Sequence, residues 1–275
     1  MRKLVFSFLI CLAAGRSALA AAPETLTVRA VAWDAAWKPA TETEWSLRVI
    51  GEVAAAAKDG ADVVLFPEQF SRGRALEGVL EGARAAAGED RLVVFGNAPR
   101  RNPGEDFVYS RAYVLSGGAW QAMDKLDPTP AERFGKPPVK PGTRLILFRF
   151  RGGLVAVLTA NSVAKTEIAA SLKKRGVQLV LVPVPAEDAA GAARVARSAS
   201  ARAVELGAAV VTAPPSPAAP ALHLPAQKGF DLEPQAPGGR DFRIPWKRLL
   251  DLRAAPEGAG EPRPFLETSH YQVEI

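Results

Sequence analysis

Three short segments of the 275-residue chain carry side chains that could do chemistry, each where a predicted strand ends. Glu68 follows the apolar run 63–66 and Pro67, which stops the strand because proline donates no ladder hydrogen bond. Lys125 follows the second strand of a predicted hairpin, and residues 159–162 form a turn with two hydroxyls between a strand and a helix. Such groups transfer protons, hold developing negative charge or attack carbon. Because open α/β sheets bind ligands beyond the carboxyl ends of their strands, these segments mark candidate site positions.

Short apolar runs alternate with helical patterns along the chain, which predicts an α/β architecture. The predicted strands are 26–33, 62–66, 91–96, 107–115, 119–123, 145–150, 154–158, 177–182 and 208–213, and the predicted helices are 43–58, 76–87, 164–175 and 189–206. A Pro/Ala-rich loop is expected at 214–226, followed by an edge strand and a short helix within 242–252. Since the tail is too short for a core of its own, a single domain is predicted from 21 to 275.

Four segments, in this order, resemble the nitrilase superfamily of carbon–nitrogen hydrolases. They are 61–68 with its Phe-Pro-Glu end, the hairpin 113–118 with Lys125-Leu126 behind it, 155–183, and 200–211. Together they cover most of residues 26–213, and the resemblance implies the family's α-β-β-α sandwich. From about residue 214 the chain diverges, because the Pro/Ala-rich loop replaces the glycine-rich, serine-bearing strand usual in the family.

The resemblance implies roles for three positions. The family splits amides and nitriles with a cysteine nucleophile, a glutamate base and a lysine that supports the tetrahedral intermediate; Glu68 and Lys125 fall on the last two positions. The family's cysteine lies seven residues before a glutamate, which in turn lies nine before the glycine that ends the helix. Glu167 and Gly176 keep the second spacing, so counting back seven from Glu167 puts the nucleophile position at Ala160. A methyl group cannot attack carbon, so the resemblance implies a site without its usual nucleophile.

Two further residues are implied as binding groups. The family's oxyanion hole uses the backbone N–H after the nucleophile, here that of Asn161, together with the lysine. A second glutamate often follows and positions that lysine, and Glu132 is the candidate. The chain departs from the family at Asp127, where histidine is usual, and at Ser162, where aspartate is usual.

Several of these residues also have ordinary structural interpretations. Glu68 could cap a backbone turn, Lys125 could be a solvated hairpin lysine, and the two together could form a purely structural ion pair. Thr159 and Ser162 could be proposed as substitute nucleophiles, but neither has a histidine partner in the matched motifs.

The two histidines give no sign of a catalytic or metal-binding role. His223 and His270 are interpreted as surface residues, and no Cys or His pair has ligand spacing. No metal site and no cofactor is therefore expected.

The N-terminus has the layout of a secretory signal. A basic cap precedes an apolar core at 4–14 and a small-residue end at 17–21, so cleavage near Ala20 is expected. The apolar core is too short for a permanent membrane span, although an uncleaved anchor is the alternative. Removal of 1–20 would take away Cys11, the only cysteine, and three basic residues, so the formal net charge of +6 would fall to +3. That charge gives no argument for nucleic acid binding.

These features give a leading hypothesis and two alternatives. The leading hypothesis is an exported pseudoenzyme, periplasmic or secreted, that binds a small amide- or carboxylate-like ligand or a protein partner. The first alternative is an active hydrolase of non-peptide carbon–nitrogen bonds in which Glu68 activates water. The second is a structural or interaction protein with a filled pocket. A homo-oligomer is expected by family analogy alone.

Overall fold

Two six-stranded sheets packed face to face, each with helices on its outer side, make up the fold. The computed structural model describes residues 22–34, 36–71, 74, 76–185, 189–216, 218–225, 241–252 and 272–274. The predicted leader at 1–20, His270 and the segment 226–240 lie outside the described residues.

The elements follow one another in α/β order. In chain order they are β1 (Leu26–Ala30), α1 (Glu42–Lys58), β2 (Val63–Leu65), α2 (Glu77–Ala87), β3 (Leu92–Arg100), β4 (Tyr109–Ser116), β5 (Ala119–Asp124), α3 (Pro130–Arg133), β6 (Arg144–Phe150), β7 (Gly153–Val157), a 3-10 turn (Ser162–Ala164), α4 (Thr166–Lys174), β8 (Leu179–Pro183), α5 (Ala189–Leu206), β9 (Ala209–Ala213), β10 (Ala221–His223), β11 (Asp241–Ile244), α6 (Trp246–Leu252) and β12 (Gln272–Glu274).

Each sheet has parallel strands at its centre and antiparallel pairs beside them. The first sheet has the order β11-β1-β2-β3-β4-β5, and the second has the order β10-β9-β8-β7-β6-β12. β1, β2 and β3 run parallel in the first sheet, as do β7, β8 and β9 in the second. The carboxyl ends of these central strands therefore meet at one edge of each sheet, which is where ligand sites form in α/β folds.

The core has three apolar layers. The middle layer lies between the sheets and contains residues such as Val63 and Val94 from the first sheet and Val155 and Leu179 from the second. One outer layer packs the first sheet against α1 and α2, and the other packs the second sheet against α4 and α5. The central strands are buried on both faces, which explains their continuous apolar sequences.

Most predicted elements are present, with a few corrections. The stretch 214–226 was predicted to be a loop throughout, but β10 pairs antiparallel with β9 inside it. His223 in that strand is half-buried rather than a surface residue, and burial lowers its pKa. The short helix α3 was also not predicted, because a proline-rich stretch favours a loop interpretation. None of the described helices is long and apolar enough to cross a bilayer.

Candidate functional site

Three charged side chains meet at the carboxyl edge of the first sheet. Lys125 Nζ donates to Glu68 Oε1 at 2.7 Å and to Glu132 Oε1 at 2.9 Å. Glu68 is 1% exposed and Lys125 is 2% exposed, so their ion pair is shielded from bulk water. The sequence-predicted residues Glu68, Lys125 and Glu132 are therefore brought together as one cluster of two carboxylates and one ammonium.

The backbone around Glu68 is held by contacts with both sheets. The Glu68 N–H donates to the carbonyl of Val184, which follows β8 in the second sheet, at 3.1 Å. The next N–H, of Gln69, donates to the Asn97 carbonyl at 2.8 Å. Gln69 has a φ of 58°, a left-handed conformation that non-glycine residues rarely adopt, and these flanking hydrogen bonds hold it there.

A glycine in β3 makes room for the same turn. A Cβ atom at Gly96 would overlap the Pro67 carbonyl, so only glycine lets the two backbones approach this closely. Gly96 lies where the β3–β4 register shifts between Phe95 and Ala98. Within this bulge Gly96 and Asn97 lie outside the regular β3–β4 ladder, which resumes at Ala98.

The backbone at Lys125 is fixed on both sides. Its N–H donates to the Ser110 carbonyl at 2.7 Å, and its carbonyl accepts from the Gly142 N–H at 2.8 Å. The Ser110 carbonyl also accepts from Asn97 Nδ2 at 2.9 Å. Hydrogen bonds therefore hold the backbone from which the Lys125 side chain extends, directly after β5.

Glu132 belongs to a capping box at the start of α3. Glu132 Oε2 accepts from the Thr129 N–H at 2.6 Å, and Thr129 Oγ1 accepts from the Glu132 N–H at 3.1 Å. The other oxygen, Oε1, faces Lys125. One carboxylate thus completes the helix cap and also neutralises the lysine.

The ammonium of Lys125 is stabilised despite its burial. Burial alone lowers the pKa of Lys125, but the nearby charge of Glu68 and the hydrogen bond to it, together with Glu132, outweigh that effect and raise the pKa above its usual value. The cluster therefore holds a charged lysine.

Ala160 lies in the turn after β7 and carries no polar group. It is 3% exposed and belongs to the apolar layer between the second sheet and its helices. Its neighbours Thr159 and Ser162 are also buried, and their hydroxyl oxygens are 3.0 Å apart, within hydrogen-bonding distance. Each of these two hydroxyls is thus engaged by the other.

Asn161 begins the 3-10 turn. Its side chain is half-buried, and its φ of −72° and ψ of −35° are helical. Its carbonyl accepts from the Ala164 N–H at 3.1 Å, while its own N–H has no hydrogen-bond acceptor in the part of the chain that the structure describes. An N–H without an acceptor in the protein can donate to a carbonyl or carboxylate oxygen of a ligand.

The Ala160 turn and the charged cluster share one edge of the sandwich. β7 runs parallel to β8, and the residue after β8, Val184, accepts from the Glu68 N–H. Leu126, next to Lys125, packs against the apolar layer that contains Ala160. The segment after Ala160 is also tied to the Lys125 loop, because Lys165 Nζ is 3.3 Å from Asp127 Oδ2.

The sequence interpretation missed three contributors to this arrangement. Asn97 and Ser110 support Glu68 and Lys125 through their backbone carbonyls and the Asn97 side-chain amide, and no sequence motif identifies such contacts. Thr129 was recognisable, since it stands three residues before Glu132 as a capping box requires. No group of three or more His, Cys, Asp or Glu side chains able to hold a metal occurs among the described residues.

The chain is similar to a known family and to several solved structures. A family model described as carbon-nitrogen hydrolase matches residues 25–216. A cysteine-to-alanine variant of the amidase from Nesterenkonia sp. AN1, solved in complex with butyramide, is 21% identical with a TM-score of 0.59, over 85% of this chain and 95% of that one. Nit3 of Saccharomyces cerevisiae, a member of branch 10 of the nitrilase superfamily, is 15% identical with a TM-score of 0.67, over 88% of this chain and 97% of that one.

These likenesses concern the fold. At 15% and 21% identity they confirm the predicted α-β-β-α sandwich and carry no residue roles. No curated protein matches the chain.

Proposed function

Because the chain belongs to the carbon–nitrogen hydrolase family, we propose that it is an exported member that binds a small amide- or carboxylate-like ligand without covalent turnover. The proposed site consists of Glu68, Lys125, Glu132, Ala160 and the N–H of Asn161. The observation that carries the proposal is that an alanine, with no polar atom, stands at the position assigned to the nucleophile, while the glutamates and the lysine remain hydrogen-bonded.

The missing atom matters because of how the family reaction proceeds. A thiolate attacks the amide carbon, the amine leaves with a proton, and the resulting thioester is split by water to give an acid and the free thiol. The Ala160 methyl has no electron pair to form that bond. Thr159 and Ser162 do not substitute for it in this proposal, because their hydroxyls are buried and paired with each other.

The groups that remain are suited to hold an intact ligand. An ammonium has three N–H donors, and those of Lys125 that face Glu68 and Glu132 account for two of them. The third, together with the Asn161 N–H, would donate to the ligand's carbonyl or carboxylate oxygen. Such donors stabilise a bound oxygen whether or not a covalent step follows.

The solved amidase variant supports this assignment by analogy. It lacks a cysteine that its parent has, and it was solved with butyramide bound. Replacement of a cysteine by alanine in this fold is therefore compatible with binding of an intact amide, which is what we propose for this chain.

A second candidate is an interaction protein whose pocket has closed. The observation that favours it is burial: Glu68 is 1% exposed, Lys125 2% and Ala160 3%. In that case the Glu68–Lys125 pair would serve only the fold, and small amides would not bind.

The test uses the purified protein and a panel of small amides and their acids. We expect a thermal shift with at least one ligand and no ammonia release. Ammonia release that disappears in Glu68→Gln would overturn the proposal in favour of a water-activating hydrolase. No shift with any ligand would favour the closed interaction protein.

A designed cysteine tests whether only the nucleophile is missing. In a Cys11→Ser background, Ala160→Cys should form a covalent acyl adduct with an amide that binds, seen as a mass increase of the intact protein. Ala169→Cys is the matched control, since Ala169 is equally buried, at 2%, on α4. Adducts on both cysteines, or on neither despite ligand binding, would count against the assignment of position 160.

Export is a separate part of the proposal. It rests on the basic cap, the apolar core and the small-residue end of residues 1–20. The mature protein recovered from an exporting host should begin near Ala21 by N-terminal sequencing. A retained Met1 in membrane fractions would support an uncleaved anchor instead.

A further inference from the structure

Asn97 is a fully buried polar residue beside the charged cluster. It lies in the bulge of β3, between the two points at which the β3–β4 register shifts, and it is 0% exposed. Its Nδ2 donates to the Ser110 carbonyl at 2.9 Å. Its Oδ1 has no hydrogen-bond partner within the described residues. Because a buried oxygen without a partner is destabilising, packing alone does not account for an asparagine here.

The backbone and the side chain of Asn97 contact the segments that carry two different charged groups. Its backbone carbonyl accepts from the Gln69 N–H at 2.8 Å, directly after Glu68. The Ser110 carbonyl that its side chain contacts also accepts from the Lys125 N–H, at 2.7 Å. A single residue therefore links the turn that carries Glu68 to the strand end that carries Lys125.

This link matters because the two charged groups approach from separate elements. Glu68 comes from the end of β2 and Lys125 from the end of β5, with β3 and β4 between them in the sheet. A hydrogen bond weakens steeply once its partners are displaced by a fraction of an ångström or misaligned. The irregular backbone at the bulge also lacks part of the regular ladder that would otherwise fix the spacing.

We propose that Asn97 is a positioning residue that sets Glu68 and Lys125 at hydrogen-bonding distance. It acts through the Ser110 carbonyl on one side and the Gln69 N–H on the other, without contacting a ligand. Its importance for ligand binding rests on the proposed function, whereas its effect on the Glu68–Lys125 pair does not.

The experiment measures the Glu68–Lys125 coupling directly. Unfolding of Glu68→Gln, Lys125→Met and the double variant in urea gives the coupling free energy of the pair. The same cycle is repeated in an Asn97→Ala background. We expect the coupling to fall to less than half of its value in the parent. An unchanged coupling would overturn the proposal.

A matched control separates positioning from general loss of stability. Gln178 is also a buried amide, and its Oε1 accepts from the Leu154 N–H at 2.7 Å in the second sheet. Gln178→Ala should lower stability yet leave the Glu68–Lys125 coupling unchanged. Equal losses of coupling in both backgrounds would show a non-specific effect and count against Asn97.

A second variant keeps the test decisive if Asn97→Ala does not fold. Asn97→Leu removes the donor without leaving a large cavity and enters the same cycle with the same expected loss. All measurements use the ligand-free protein, so a failure of amide binding would leave their outcome unaffected.

Discussion

The two halves of the candidate site differ in how strongly the fold depends on them. On the first sheet, Lys125 is held between Glu68 and Glu132, and loss of the lysine leaves two carboxylates without a cation. On the second sheet, the turn at Ala160 has no charge, and its hydroxyls at Thr159 and Ser162 contact each other. The charged cluster and the turn at Ala160 can therefore be altered separately, because only the cluster contains buried charges that need partners.

The largest effect is expected from removal of Lys125, whose ammonium pairs with both Glu68 and Glu132. Lys125→Met should destabilise the protein by about 3–5 kcal/mol, because two carboxylates would be left together without a cation. Urea unfolding measures the loss. Lys165→Met removes a more exposed lysine, 3.3 Å from Asp127, and should cost less than about 1 kcal/mol. Comparable losses in the two variants would contradict the asymmetry between the buried cluster and its surroundings.

Alkaline pH should weaken the same half of the site more gradually. The pKa of Lys125 is raised above 10.5 in the folded protein, so its stabilising effect is complete below pH 10.5 and is lost as the pH rises through the folded-state pKa. Urea unfolding on both sides of pH 10.5 should show a steeper fall for the parent than for Lys125→Met. Identical slopes would mean that the two glutamates do not raise the pKa of Lys125 in the folded protein.

A smaller effect is expected at the turn of the second sheet. Thr159→Val removes one hydroxyl of the Thr159–Ser162 pair and should cost about 1 kcal/mol. Ser162→Ala should cost a similar amount, and the double variant less than the sum, because both changes remove one contact. Strict additivity of the unfolding free energies would show that the hydroxyls do not depend on each other.

The smallest effect is expected at Ala160, the position proposed for the nucleophile. If the site keeps room for a larger side chain, Ala160→Cys should change the unfolding free energy by less than about 1 kcal/mol. Overpacking of a filled site would instead cost about 1–3 kcal/mol. Thermal or urea unfolding, with Ala169→Cys as the comparison, distinguishes a vacant site from a closed one.

The sequence was informative about elements and about residues with strong local signals. The alternation of apolar runs predicted the parallel strands, and the Phe-Pro-Glu end of β2 pointed to Glu68. The pairing of Glu68 with Lys125 is long-range and depended on the resemblance to a family. The role of Asn97 could not be read from sequence, because it arises from a bulge and from a side-chain contact with the backbone carbonyl of Ser110. Proline near Thr129 concealed α3, although a proline at the first helical position favours a helix start.

The double use of Glu132 has an evolutionary consequence. Its Oε2 completes the cap of α3 and its Oε1 neutralises Lys125, so a mutation that removes the carboxylate damages folding and the charged cluster together. Purifying selection for a stable chain would then preserve the Glu–Lys–Glu group in a lineage that had lost turnover altogether. Ala160 carries no polar group, so its replacement would not remove a partner from this cluster. The presence of Glu68, Lys125 and Glu132 is therefore no measure of turnover, because stability alone would be enough to keep them.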